Sequence, residues 1–325
     1  MTLRAAAIAS RIAAYPRAGQ ALIWAGVIGL LFVAALVPQF TDRRDTINLL
    51  FLVYLYVTLA ASWNILGGYA GQVNLGHAAF FGIGALTTRT LWAEEGFPFL
   101  LAFLAAGLAS MAFALVIGVP TFRLRGVYFA IGTLAMAEAL RITVGNLLPN
   151  LSALPGPIIA RYDLEPRYYL ALALAICTAA TVYALPATRV SLGILAVRED
   201  EDAAQASGVN PLTHKLLALA LSSLFAGLAG GLFAYYHVSY YPSLPFSTTW
   251  TFDPVLATFV GGIGTLAGPI IGAAFFILVR ERLAVELVEV HQLIFGVLFI
   301  IVVLVLPGGF VEAWSRLTGL LRFRR

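Results

Sequence analysis

Residues 67–85 read "GGYAGQVNLGHAAFFGIGA". Gln72, Asn74 and His77 lie there among glycines, between two runs apolar enough to live in hydrocarbon. Two readings follow: a short loop, or helical backbone opened inside a membrane. Gly67 and Gly71 stand four apart, a spacing that permits either close helix packing or an unwound turn. The polar side chains can stitch helices together, or they can offer freed amides and carbonyls to a solute.

The surrounding composition sets the class. The chain has 325 residues, of which 61% are hydrophobic and only 11% charged, and its mean hydropathy is +0.91. So few charges cannot cover a soluble surface of this length, so the chain reads as a polytopic membrane protein. Within hydrocarbon only helices or a closed barrel satisfy the backbone. The apolar runs are long and show no alternation, which predicts an all-α fold. Basic residues, nineteen arginines and one lysine, flank those runs. They therefore report membrane orientation, and no nucleic-acid partner is expected. The single Cys177 excludes a disulfide framework or a cysteine metal site, and its apolar run predicts simple packing.

Runs of about 20 apolar residues place spans near 20–38, 46–66, 77–93, 97–119, 126–146, 168–187, 215–237 and 292–306, eight in all. The first is expected to be a span, since it lacks a small-residue cleavage site. Residues 1–19 are then a cytoplasmic N-terminal segment, 20–306 the transmembrane domain, and 307–325 a basic cytoplasmic tail. The stretch 253–279 carries "VGGIGTLAGPIIGAA" at 260–274. Gly261 and Gly262 loosen it, Gly264, Gly268 and Gly272 recur on one helical face, and Pro269 interrupts the hydrogen-bond ladder. It reads either as a kinked, tightly packed helix or as a broken, re-entrant segment. If it dips and returns, twelve basic residues lie inside and eight outside. A single crossing makes the count equal and erases the positive-inside bias. The re-entrant reading puts both termini in the cytoplasm.

No G-x-x-x-x-G-K-[S/T] loop, H-E-x-x-H site or G-x-S-x-G elbow occurs, so the sequence makes no positive case for an enzyme or for bound nucleotide. No catalytic residue, metal or cofactor is expected in this chain. Residues 188–214 form a polar segment between spans, with "VREDEDAAQASGVNP" at 197–211. Its composition predicts one short helix over 195–206, with Glu199, Asp200, Glu201 and Asp202 toward its favoured N-terminal end. Gly208 is the expected C-terminal cap, and Pro211 stops the helix. Such a helix is either a solvated connector or a docking element for a large cytosolic protein.

This segment resembles the cytoplasmic loop of bacterial ABC-importer permeases, in particular the LivM-type branched-chain amino acid permease family. The matching pattern runs Ala196, Arg198, Glu199, Asp200, Glu201, Ala203, Ala204, Gly208 and then Lys215. Four further stretches are similar to the same family in the same order: 64–85, "RLRGVYFAIGTLAMAEALR" at 123–141, "FAGLAGGLFA" at 225–234, and 260–274. The resemblance spans most of residues 46–306. It implies an ABC-importer permease fold in a bacterial inner membrane, a LivH-like second permease subunit and an extracytoplasmic solute-binding protein. It also implies two cytosolic ATPase subunits, which would bind the ATP. Arg198 to Ala204, with Asp202 and Gly208, would then transmit ATPase closure to the membrane helices. The family also contains permeases for urea, amides and other small solutes.

The expected substrate path runs past Asn64, Gly67, Gly71, Gln72, Asn74 and His77 in one break and Gly261, Gly262 and Gly264 in the other, as in broken-helix transporters. Glu138 and Arg141, three apart in a span, read as a structural ion pair or as a path contact. Arg89 is expected to snorkel to the interface, and Asp253 to cap the next helix. Tyr235, Tyr236, Tyr240 and Tyr241 are expected to form an interfacial belt. An ion-coupled secondary transporter would instead show paired intramembrane carboxylates. An intramembrane hydrolase would need a nucleophile beside His77.

Overall fold

The structure is a computed structural model that describes residues 29, 32–41, 43–286, 294, 296–297, 300–301, 304–306 and 308–322. The N-terminal segment, the first half of the 20–38 span and much of the 292–306 span lie outside the described residues. Residues 32–40 are helical, as the first apolar run predicts, and the hydroxyls of Tyr168 and Tyr169 donate to the carbonyls of Ala34 and Ala35.

Helix α1, Arg44–Asn64, is apolar on every side and 78% of its most apolar window is buried. A helix without a polar face belongs inside a bundle. It ends in a π-helical turn, Ile65–Tyr69, after which residues 71–76 run without helix to α2, His77–Thr88. A second π-helical turn, Arg89–Glu94, continues α2. Next come α3, Phe99–Thr121, and α4, Val127–Leu147. Their outer faces expose Leu104, Leu108, Val116 and Ile131, an apolar exterior suited to lipid. Helix α5, Leu164–Ala184, leads to the polar segment, and α8, Pro211–Tyr236, returns through the centre against α1, α2 and α3. Among the described residues five helices are long and apolar enough to cross a membrane: Arg44–Tyr69, Phe99–Thr121, Val127–Leu147, Leu164–Ala187 and Pro211–Tyr236. These match five of the expected spans, and the expected span at 77–93 is helical throughout.

The polar segment holds two helices where one was expected over 195–206. They are α6, Arg189–Glu199, and α7, Glu201–Ala206. Asp200 separates them in an extended conformation, and its carboxylate accepts from the amides of Asp202 and Ala203. It is the N-cap of the second helix because a short acidic side chain satisfies free amides better outside a helix than within one. Only Glu201 and Asp202 therefore occupy a first turn. Gly208 has φ +85° and ends α7 as expected.

Helices α9, Thr249–Gly261, and α10, Ala267–Glu286, pack side by side as a hairpin. The bend is the loop 262–266. Gly264 lies in it, off the helical face it was expected to share with Gly268 and Gly272. Pro269 falls in the first turn of α10, where a missing amide costs little, so it does not make the break. Helix α11, Gly309–Arg322, begins against Gly261 and Gly262, which gives the expected tail a helical structure at the hairpin's tip. At the opposite end of the bundle, β1, Ser152–Ala153, pairs antiparallel with β2, Ser239–Tyr240, with Ser152 facing Tyr240.

Candidate functional site

The two breaks meet. Asn64, fully buried, accepts at Oδ1 from the Gly264 amide (2.8 Å) and donates from Nδ2 to the Thr265 carbonyl (2.9 Å). One primary amide thus satisfies both polar groups of a backbone segment that has left its helix, a requirement in a dry interior. Gly264 has φ +71°, a conformation that favours glycine. The π-helical turn beside Asn64 leaves the Gly68 carbonyl pointing out, and Arg198 Nη1, from the last turn of α6, donates to it at 2.6 Å. The Arg198 stem lies along Gly71, where a Cβ would come 2.9 Å from its Cγ. Its Nη1 also lies 3.3 Å from where a Cβ on Gly264 would stand. Arg198 therefore touches both breaks from the polar segment between α5 and α8.

The other polar residues of the first break bond mainly to their neighbours, while Asn74 Nδ2 and His77 Nδ1 are buried without a partner. Trp63 Nε1 donates to the Asn74 carbonyl (2.7 Å), and Asn74 Oδ1 accepts from the Gly76 amide (2.8 Å). His77 Nε2 lies 2.9 Å from Ser62 Oγ, and Ser222 donates to the Ser62 carbonyl. Thr133 and Thr251 accept from the amides of Leu75 and Ala78. Asn74 and His77 are buried, while Gly71 is exposed and Gln72 half-buried, its amide reaching the Ala70 carbonyl. Gly67 packs on the Trp63 indole, and Gly261 and Gly262 pack on Gly268 and α11. The structure thus brings Asn64, Gly71 and Gly264 to one point around Arg198. Asn74 and His77 form a separate, inward shell.

In the polar segment, Lys215 Nζ, only 3% exposed, pairs with Glu201 at 2.6 Å and pins α7 to α8. Asp202 faces Arg125 at 3.6 Å with both side chains exposed. Glu199, Asp200 and Ala203 are exposed and Ala204 is buried. Glu138 and Arg141 form the expected pair on α4, with Arg141 Nε 2.9 and 3.0 Å from the two carboxylate oxygens. Among the described residues no group of three or more His, Cys, Asp or Glu is placed to hold a metal ion.

Four expectations are corrected. Arg89 does not snorkel: it is 2% exposed and donates to Ser152 Oγ and to the carbonyls of Ser152 and Val238. The β1–β2 loops supply acceptors that hold it inside. Asp253 lies within α9, where its carboxylate takes Arg280 (2.8 Å) and the Tyr56 hydroxyl (3.0 Å). That ion pair ties the two arms of the hairpin. Of the aromatic cluster only Tyr241 is exposed. Tyr235 stacks on Phe99, Tyr236 on Phe51, and Tyr240 is buried. Burial pushes the Tyr240 phenol up to about 12, so it keeps its proton. Cys177 faces outward from α5.

A family model for the permease component of branched-chain amino acid transport systems matches residues 46–303. The chain is 30% identical to the high-affinity branched-chain amino acid transport system permease protein LivM of Salmonella typhimurium, over 86% of this chain and 73% of the relative. LivM of Escherichia coli is similar at the same identity and coverage. A probable LivM of Methanocaldococcus jannaschii is 24% identical over 82% of this chain and 93% of its own length. No solved structure matches. A polytopic helical bundle with two apposed breaks and a polar two-helix insertion is thus matched over most of its length by one family, and the chain belongs to the permease components of branched-chain amino acid transport systems.

Proposed function

We propose that this chain is one membrane subunit of an ATP-driven importer for branched-chain amino acids. It works beside a LivH-like permease subunit, with two cytosolic ATPase subunits and an extracytoplasmic solute-binding protein. The chain itself is not an enzyme, since ATP hydrolysis belongs to the ATPases. The observation that carries the reading is the Arg198–Gly68 bond, which joins the polar segment directly to an opened membrane helix. A rigid α6–α7 unit seated on an ATPase can displace that carbonyl, and with it the Asn64 clamp on the hairpin loop. The path runs along the accessible side of the break, at Gly71 and Gln72, and past Gly262 and Gly264. Asn64, Gly67, Asn74, His77 and Gly261 hold its walls. In this reading both termini are cytoplasmic in a bacterial inner membrane. The start of α11 at the hairpin tip, near Arg198, supports this for the C-terminus, and the flanking basic residues support it for the N-terminus.

The test is reconstitution with the four partner subunits in liposomes, measuring uptake of leucine, isoleucine and valine. Uptake should require ATP, both ATPases and the binding protein. Uptake that persists without ATPase and collapses with an ion gradient would overturn the reading.

A further inference from the structure

At the end of the bundle away from α6 and α7, a cavity of about 550 Å³ opens among the π-helical end of α2, the loop after α4 and strand β2. A volume of this order suits a small molecule. Arg89 lines it. Its three hydrogen bonds go to uncharged acceptors, and Nη1, also buried, has no partner. None of the salt bridges among the described residues involves it. Glu94, on the same cavity, is near enough to act on its charge but makes no direct ion pair. A buried guanidinium without a directly bonded carboxylate is costly, and its planar fork suits one well. Tyr240 lies under the guanidinium, 4.7 Å from its ring centre, and the Tyr240 hydroxyl is likewise buried without a partner. Two unfilled donors therefore lie just beneath a wall that Arg89 and Tyr240 both line. Elsewhere in the cavity stand the exposed carboxylate of Glu94 and the apolar side chains of Leu86, Leu147 and Leu151.

We propose that this cavity receives a zwitterionic aliphatic amino acid, its carboxylate bound by Arg89 and Tyr240, its ammonium by Glu94 and its side chain by the leucines. The assignment rests on the proposed amino acid import and adds a first station for the solute after release from the binding protein. The α-carboxylate supplies the directly bonded anion that Arg89 lacks, a hydroxyl bond from Tyr240 fixes its orientation, and Glu94 is left to take the ammonium.

The test uses the reconstituted complex with Cys177→Ser and Asn150→Cys, Asn150 being on the cavity wall. The rate of maleimide labelling at position 150 is read with and without solute. L-Leucine should slow labelling at least fivefold, whereas L-leucinamide and isoamylamine, which lack the carboxylate, should not. Arg89→Gln should abolish the protection. Tyr240→Phe, which removes only the unpartnered hydroxyl, and Glu94→Gln, on an exposed side chain, should each weaken it severalfold. If wild-type complex imports leucine with ATP but leucine does not slow labelling, this inference fails and the proposed function stands. Absence of ATP-driven leucine uptake by wild type would instead sink the proposed function. Protection by leucine-free binding protein, with none from leucine alone, would assign the carboxylate to an acidic side chain of that protein and overturn the amino acid site.

Discussion

The two breaks in the helical framework are built in opposite ways. The first, after α1, carries its own polar side chains and is stitched locally by Ser62, Trp63, Asn74 and His77. The second, between α9 and α10, is rich in glycine, and Asn64, 200 residues earlier than Gly264, supplies two of its backbone partners. The first break also takes partners from afar, Thr133, Thr251 and Arg198, but its own side chains hold part of its backbone. The second, which borrows from Asn64, shifts with whatever moves the lender. Arg198 grips the lender's side of that arrangement.

The sharpest way to break the comparison is Asn64→Leu. It orphans the Gly264 amide and the Thr265 carbonyl, at about 1–3 kcal/mol each. Thermal denaturation in detergent should shift well below wild type, and proteolysis should concentrate at 262–266 with the first break unaffected. Arg198→Ala comes next. Losing a charge-assisted bond of about 1.5–3 kcal/mol should lower ATP-driven uptake roughly 10–100-fold, while the ATPases still assemble. Uptake within twofold of wild type would remove Arg198 from the coupling route. Ser62→Ala touches only the first break, taking the partner from His77 Nε2. Stability should fall by about 1 kcal/mol, with no new cleavage at the hairpin loop. The smallest effect on folding belongs to Asp202→Lys, since its pair with Arg125 is exposed and contributes about 0–1 kcal/mol. Any fall in ATPase co-purification for that variant then measures docking. Charge reversal at Glu201 is a poorer probe, because it strands the buried Lys215.

Most of the framework was legible in the sequence because hydrocarbon demands long apolar runs, and the runs at 46–66, 97–119 and 126–146 could hardly be anything else. For 253–279 the sequence left two readings open, a kinked helix and a broken segment. The chain is broken at 262–266, although neither the four-residue glycine spacing nor Pro269 makes the break. The division of α6 from α7 was missed, although Asp200 followed by two acidic residues carries an N-terminal helix signal. Helix-forming alanines on both sides masked it. Arg89 and Asp253 were misplaced for one reason: their partners, Ser152, Val238 and Arg280, lie 27 to 149 residues away. No local pattern announces such pairings. The Arg198–Gly68 contact was hidden in the same way, with 130 residues between donor and acceptor.

The hairpin also constrains how the protein is made. Helix α9 has 13 residues, about 20 Å at 1.5 Å per residue, too short to be laid across about 30 Å of hydrocarbon as it leaves the ribosome. Its tip also exposes backbone groups that lipid cannot satisfy. The Gly264 amide and the Thr265 carbonyl at the hairpin tip therefore find their partners only where α1 offers Asn64, a side chain synthesised about 200 residues earlier.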